Sequence, residues 1–542
     1  MLRRWCAGLA FSLVALQACG GSTTVADDSV TPASLSSHCT DVVADDLGEG
    51  TLCADSGFRW GVDQFSFPNW GRSASADMNV TVQTFIDLFG HSTVCMPGPE
   101  TECVLRPRTR QKLDEWNVAL GGGRCEGMSV LSQRIFLRYD VASDFEPGAV
   151  TTSDLAKTNS RLAEWITYWW ATQFAPEVAS VAKHSRSKSP VQLVDELIRG
   201  LVNRKTGFTV GMYFAGAGHA VTPFAVTKRD DDYVIHVYDN NRPGVRGEIV
   251  VSSRDDTWSY MNGLGGEESS AQWSGGTGTL ELTPMSIRQG PFTCPFCDDP
   301  APTDATTLTF VNQAEGPANY VMIDAGDAGT IEQTAAGFTV GIAGATVEES
   351  KMGTAGAFSV TLPSALDSFR VELRHVRDQI TETVVTLRRP GTADLQVRNA
   401  RSTAVVGAAR VTSPLLKVDG SGVTVASHGG DTLVSLAGAT NLASVTVADN
   451  DTLLVSTVSP TSVEVSYRGT TGASATTIDL DPAAAVATEL VLSKGRLDTW
   501  AHTPAAQKVT GARTTRNSPL PQATTTSSPR TTVPSVDVTL PG

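Results

Sequence analysis

In the first half of the chain, apolar residues recur every three to four positions, the period of a helix buried on one face. The pattern predicts helices over 80–89 and 109–118. A third carries Met128, Leu131 and Ile135 at helical spacing, so that Cys125 falls at or just before its first turn. The next runs through Leu155, Leu162, Trp165, Ile166, Trp169 and Trp170, with Ser153 and Asp154 suited to capping. Its tryptophans share one face, as core residues do, although such a cluster also suits a sugar-binding cleft. A further helix begins at Ser189-Pro190, where proline is tolerated in the first turn, and continues through Leu193, Leu197 and Leu201 to a stop near Gly207. The period then changes to two. Segments 209–214, 220–228, 232–238 and 248–252 are short, rich in Val, Tyr and Phe, and separated by Gly, Asp and Asn turns. A helical half followed by an antiparallel β half describes an α+β domain over 39–297.

Residues 298–306, with prolines and acidic side chains, form a linker. From 307 to 503 Thr, Val, Ala and Gly dominate and alternation recurs at 369–373, 380–387, 423–425 and 462–467, which predicts an all-β domain, either sandwich-like or a short solenoid. Val423-Thr424-Val425-Ala426 is echoed by Val445-Thr446-Val447-Ala448, but two copies do not establish a repeat architecture. The Thr/Ser/Pro-rich stretch 504–542 lacks a core and is expected to be disordered.

Length and charge narrow the function. A chain of 542 residues implies two or three domains, and a net charge of −15 argues against nucleic acid as a partner. The basic cluster Lys183, Arg186 and Lys188 is short and reads as a solvated loop. Residues 1–18 read as an export signal, with Arg3 and Arg4 ahead of an apolar segment too short for a permanent anchor. The segment ends in Leu16-Gln17-Ala18-Cys19, which resembles a bacterial lipobox. That resemblance implies cleavage before Cys19, lipid on Cys19, and a protein held at a membrane outside the cytoplasm by the tether 19–38. Gly20 favours the outer membrane in a cell that has one.

Of nine cysteines, Cys6 would leave with the signal and Cys19 would take the lipid, so an odd number remains. The expected pairs are Cys39 with Cys53, Cys95 with Cys103, and Cys294 with Cys297, which leaves Cys125 as a free thiol. Cys294-Pro295-Phe296-Cys297 also has the form of half a zinc site or a redox pair, but no second such motif completes a zinc set. Arg229-Asp230-Asp231-Asp232 lacks the ligand spacing of a calcium loop and suits a hairpin turn.

Cys125 lies in Gly121-Gly122-Gly123-Arg124-Cys125-Glu126-Gly127-Met128. A cysteine at a helix start meets free N–H groups and the positive end of the dipole, which favour a reactive thiolate in general. Glycines around it let a carbonyl substrate approach, with the Cys125 N–H free for an oxyanion. A buried structural cysteine after a glycine loop would look the same in isolation, so the partners decide. Among eight histidines, His219 in Gly216-Ala217-Gly218-His219-Ala220 has small neighbours at the start of a strand. The following strand ends in Tyr238-Asp239-Asn240-Asn241, so Asp239 or Asn240 is placed to orient His219, although the same residues are turn formers.

Gly123-x-Cys125-x-Gly127-Met128, Gly218-His219-Ala220 and Tyr238-Asp239-Asn240-Asn241 together resemble the papain-like cysteine peptidases, closest to a bacterial exported branch. The resemblance covers 39–297. It implies a papain-like fold and a triad of Cys125, His219 and Asp239 acting through a thioester, with no metal or organic cofactor. Two departures stand out. The oxyanion glutamine of that family is replaced by Ala119, for which Asn117 is the nearest substitute, and the family's tryptophan-rich tract after the nucleophile is missing. The expected function is a lipid-anchored, extracytoplasmic cysteine hydrolase of the bacterial cell envelope acting on peptides or proteins. A transglutaminase-like acyltransferase or peptidoglycan amidase would use the same trio, and a non-catalytic adhesion or structural lipoprotein is the alternative of another class.

Overall fold

A computed structural model describes residues 38–40, 47 and 50–518, apart from 203–206, 261–271, 298–303, 314–318, 335–336, 354–355, 376–381, 400–413, 429, 471 and 494–495. The signal segment 1–18 and nearly all of the tether 19–38 lie outside the described residues. No described helix is long and apolar enough to cross a membrane.

The expected fold class is corrected by the structure. The chain is mostly β, with 41% strand against 23% helix, and its helices are short rather than a helical half ahead of a β half. The seven described α-helices are α1 (Val82–Phe89), α2 (His91–Val94), α3 (Pro107–Ala119), α4 (Cys125–Phe136), α5 (Ser160–Ala171), α6 (Pro176–Arg186) and α7 (Pro190–Val202). A strand precedes them: β1 (Thr51–Asp55) crosses to a sheet formed more than 150 residues later, where Thr51 pairs with Lys228. Periodicity tells which face of a segment is buried, but not which distant element buries it.

That sheet is antiparallel. Its other strands are β3 (Phe208–Phe214), β4 (Ala217–Arg229), β5 (Asp232–Tyr238), β6 (Arg246–Ser252), β7 (Thr257–Tyr260), β8 (Trp273–Gly275) and β9 (Leu280–Pro284); β2 (Glu102–Cys103) lies elsewhere. The order is β8-β7-β6-β5-β4-β3-β9, with β1 also on β4. Leu193, Leu197 and Leu201 of α7 pack on one face with Val210, Val221, Ile235 and Ile249. Helix α4 lies against β4 and α5, and its Gly127 permits the approach: a Cβ there would fall 1.9 Å from the Ile166 carbonyl oxygen.

Beyond residue 304, two nine-stranded sheets share one core, in which Leu308, Phe310 and Val397 of one meet Val321, Ile323 and Val418 of the other. Of the two expected forms, this is the sandwich. The echoed segments lie in Gly422–Ala426 and Asn441–Val447, one in each sheet. Helix α3 docks on the sandwich, where Gln111 donates to the Asp394 carbonyl at 3.3 Å and Arg108 pairs with the Asp394 carboxylate at 2.8 Å.

The chain after 504 does not begin as the disordered tail its composition suggests. Gln507–Lys508 pairs with β2, and Arg513 reaches Asp87 at 3.0 Å and also bonds Glu164. Strand pairing and buried ion partners hold what lacks an apolar pattern of its own.

Candidate functional site

Three elements deliver the three predicted side chains to one place. Cys125 opens α4, His219 stands near the start of β4, and Asp239 follows the last residue of β5. The register pairs Thr222 with Tyr238, so the residue after β5 continues opposite Val221, within two residues of His219. His219 Nε2 lies 2.8 Å from Asp239 Oδ1, with both side chains only 2% exposed. The ring also hydrogen-bonds the Cys125 side chain, for which Nδ1 is the remaining nitrogen. Cys125 is half-buried and is the only free cysteine among the described residues.

The other cysteines lie in pairs at disulfide distance: Cys39–Cys53, Cys95–Cys103 and Cys294–Cys297. His91, Cys95 and Cys103 group like metal ligands, but both sulfurs are bonded to each other.

Burial alone would strip the proton from His219, but the Asp239 carboxylate and the Cys125 sulfur outweigh it and raise the pKa to about 10. Asp239 is pushed up by burial and pulled below its usual value overall by His219, the Tyr260 hydroxyl and the Asn241 N–H. Tyr260 donates to Asp239 Oδ2 at 2.6 Å and the Asn241 N–H to Oδ1 at 2.8 Å. The ring is therefore an imidazolium at neutral pH, held in orientation by a carboxylate whose own lone pairs are occupied.

Tyr260 was not expected from the sequence. It sits on β7 and reaches Asp239 across β6, over Gly247, where a Cβ would lie 2.9 Å from the tyrosine oxygen. A glycine inside an otherwise regular strand was the available signal.

Asn240 does not orient His219. Its Nδ2 lies 2.8 Å from the Ala220 carbonyl, 3.1 Å from the Cys125 carbonyl and 3.1 Å from Ser129 Oγ, tying the start of α4 to β4. Asn240→Ala would strand these buried acceptors, and we expect a loss of about 2–3 kcal/mol in urea unfolding. A change under about 0.5 kcal/mol would contradict that role.

A second clamp comes from Asn69, whose Oδ1 accepts from the Arg124 N–H at 2.7 Å while its Nδ2 donates to Asn241 at 3.0 Å. It lies under Gly123, whose φ of +112° suits glycine. Arg124 is fully buried, stacked 4.5 Å over Trp70 and bonded to Asn79 at 3.0 Å.

Asn117 is not beside the thiol's cavity. Its amide is spent on the backbone, accepting from the Val80 N–H at 3.1 Å and donating to the Val80 and Leu113 carbonyls at 3.0 and 3.1 Å. The side-chain amide that does border the cavity is Gln173, which donates to the Trp170 carbonyl at 2.8 Å. The Cys125 N–H, at the first position of α4, has no carbonyl one turn behind it within the helix. The cavity beside Cys125 and His219 measures about 40 Å³, room for a few waters.

No family model, curated protein or solved structure matches the chain.

Proposed function

We propose that this protein is a cysteine hydrolase of peptide or amide bonds, with Cys125 as nucleophile, His219 as proton carrier and Asp239 as the residue orienting His219. The observation that carries the reading is the convergence of a free, half-buried thiol, an imidazole and a carboxylate, with His219 Nε2 to Asp239 Oδ1 at 2.8 Å and the thiol on the ring's other side. The likeness to papain-like peptidases rests on this trio and its order in the chain, and not on the fold.

In the reaction, the Cys125 sulfur forms a bond to the carbonyl carbon and the carbonyl electron pair moves to oxygen. The Cys125 N–H holds that oxygen, with Gln173 as the side-chain donor at the cavity wall. The C–N bond then breaks, and the His219 proton goes to the departing amine. Water attacks the resulting thioester, loses a proton to His219, and releases the acid and the thiol. Lipid attachment at Cys19 would keep the site at a membrane surface of the cell envelope.

Given a small activated acetyl ester and quenched in acid, the chain is expected to carry one acetyl group on Cys125 that hydroxylamine removes. Labelling of another residue, or equal labelling in His219→Ala, would overturn the proposal. A primary amine added to the reaction separates a hydrolase from an acyltransferase: water captures the acyl group in the first and the amine in the second.

A further inference from the structure

The wall of the catalytic cavity includes three residues from the sandwich, Lys351, Met352 and Gly356. They lie at the tip of a hairpin between Thr346–Glu349 and Ala357–Pro363, strands paired from Thr346↔Thr361 to Glu349↔Phe358. The tip runs across Gly216-Ala217-Gly218, immediately before His219, so closely that a Cβ on Gly218 would lie 2.9 Å from the Met352 carbonyl carbon. The Lys351 carbonyl accepts from the Tyr213 hydroxyl at 3.1 Å, and the lysine side chain, 4% exposed, enters a polar pocket.

In that pocket Lys351 Nζ meets Thr283 Oγ1 at 2.7 Å, Glu281 Oε1 at 2.8 Å and Glu126 Oε1 at 3.1 Å. Three acceptors converge on a group with three N–H bonds, whereas a planar guanidinium fork would not match a tripod. Behind them the site is braced: Arg288 bonds Glu126, Arg186 bonds Glu281 at 3.1 Å, and the Tyr213 hydroxyl, 3.0 Å from Glu281, shares its single proton between that carboxylate and the Lys351 carbonyl. Burial raises the Glu126 pKa, but Lys351 and Arg288 outweigh it and hold the carboxyl at about 2. Glu126 is the residue next to the nucleophile.

Building on the proposed hydrolase, we propose that Glu126, Glu281 and Thr283 form a substrate subsite for a primary-ammonium side chain, and that Lys351 fills it as an internal pseudosubstrate. An ammonium held by two carboxylates is protonated and does not attack a carbonyl, so the side chain bound there is recognised rather than consumed. With Lys351 and Met352 in place the subsite is filled and the chain runs across Gly218, so a substrate ammonium cannot bind there at the same time. Binding of such a substrate therefore requires Lys351 to leave, and the departing lysine makes way for a lysine-like residue of the substrate.

Alkylation of Cys125 by iodoacetamide, a small neutral probe, tests this on the full chain. Lys351→Met keeps the stem and removes the charge; Tyr213→Phe frees the Lys351 carbonyl with every charge retained, so one variant remains informative if the other misfolds. Alkylation is expected to quicken by about tenfold in each, a one-decade shift of the closed population. In Lys351→Met, n-butylammonium is expected to slow it saturably while n-butanol does not. Wild-type rates in both folded variants, or no protection by the amine, would overturn the proposal. Alkylation needs no turnover, so a failure of the hydrolase reading appears separately, as loss of acetyl transfer with this pattern intact.

Discussion

Cys125→Ala is expected to abolish turnover of any peptide substrate, and His219→Ala to lower kcat by about 10⁶-fold. The sizes follow from the roles. Without sulfur no thioester forms, and without the imidazole the leaving amine loses the proton donor that stands beside the thiol. Because the two side chains act as one unit, the double variant should be no slower than Cys125→Ala alone. Progress curves on a fluorogenic peptide, run beside urea unfolding to confirm that each variant folds, decide it. Turnover within about tenfold of wild type in either single variant would remove the residue from the mechanism. The buried hydrogen bond between His219 and Asp239 makes the alanine at 219 structurally costly as well, since Asp239 would keep only Tyr260 and the Asn241 N–H. The unfolding control is therefore part of the measurement.

How far the site was readable in the sequence depends on the range of the interaction that builds it. Cys125, His219 and Asp239 each sit where one element starts or ends, and their neighbours carry local signals: glycines before the helix, small residues before the strand, and turn formers after the next. The β4–β5 hairpin, its register stepped by one at a bulge between Pro223 and Ala225 so that Thr222 falls opposite Tyr238, then brings the last two together. Asn117 failed for a local reason invisible in composition. An amide of the right type lay near the nucleophile in sequence, but the backbone at Val80 had already claimed it. Tyr260 and Lys351 were missed because nothing local marks them. Tyr260 reads as core, and Lys351 lies in a different domain, more than 200 residues from the thiol it shelters. The fold class was misjudged in the same way: five helical segments were identified near their places, but His91–Val94 and Pro176–Arg186 were not, and β1 and the sandwich supply partners that periodicity does not announce. In the tail, the pairing of Gln507–Lys508 with Glu102–Cys103 orders a stretch whose composition carries no apolar signal.

Asp239→Asn should change the response to pH more than any other isosteric substitution in the molecule. In the wild type the folded pKa of His219, about 10, lies above its ordinary 6.5. A group raised on folding stabilises the fold fully below its unfolded pKa, and that contribution fades as pH rises through the folded value. Asp239 is depressed, so its contribution is present above the ordinary carboxylate value and is lost as pH falls. Stability owed to the pair should thus be complete above the ordinary carboxylate range and below pH 6.5, declining in acid as Asp239 protonates and falling from pH 6.5 upward until His219 has lost its proton near pH 10. Asparagine keeps the size of the side chain but removes the charge that holds the proton. Burial then dominates at His219 and drives its pKa down, so the ring becomes neutral at neutral pH and no longer supplies a proton to the leaving amine. The expected result is a loss of about 10³–10⁴ in kcat, together with disappearance of the alkaline decline in urea midpoint between roughly pH 6.5 and 10. A variant that is slow but retains the wild-type alkaline limb would mean that Asp239 only positions the ring, and that another group holds its proton.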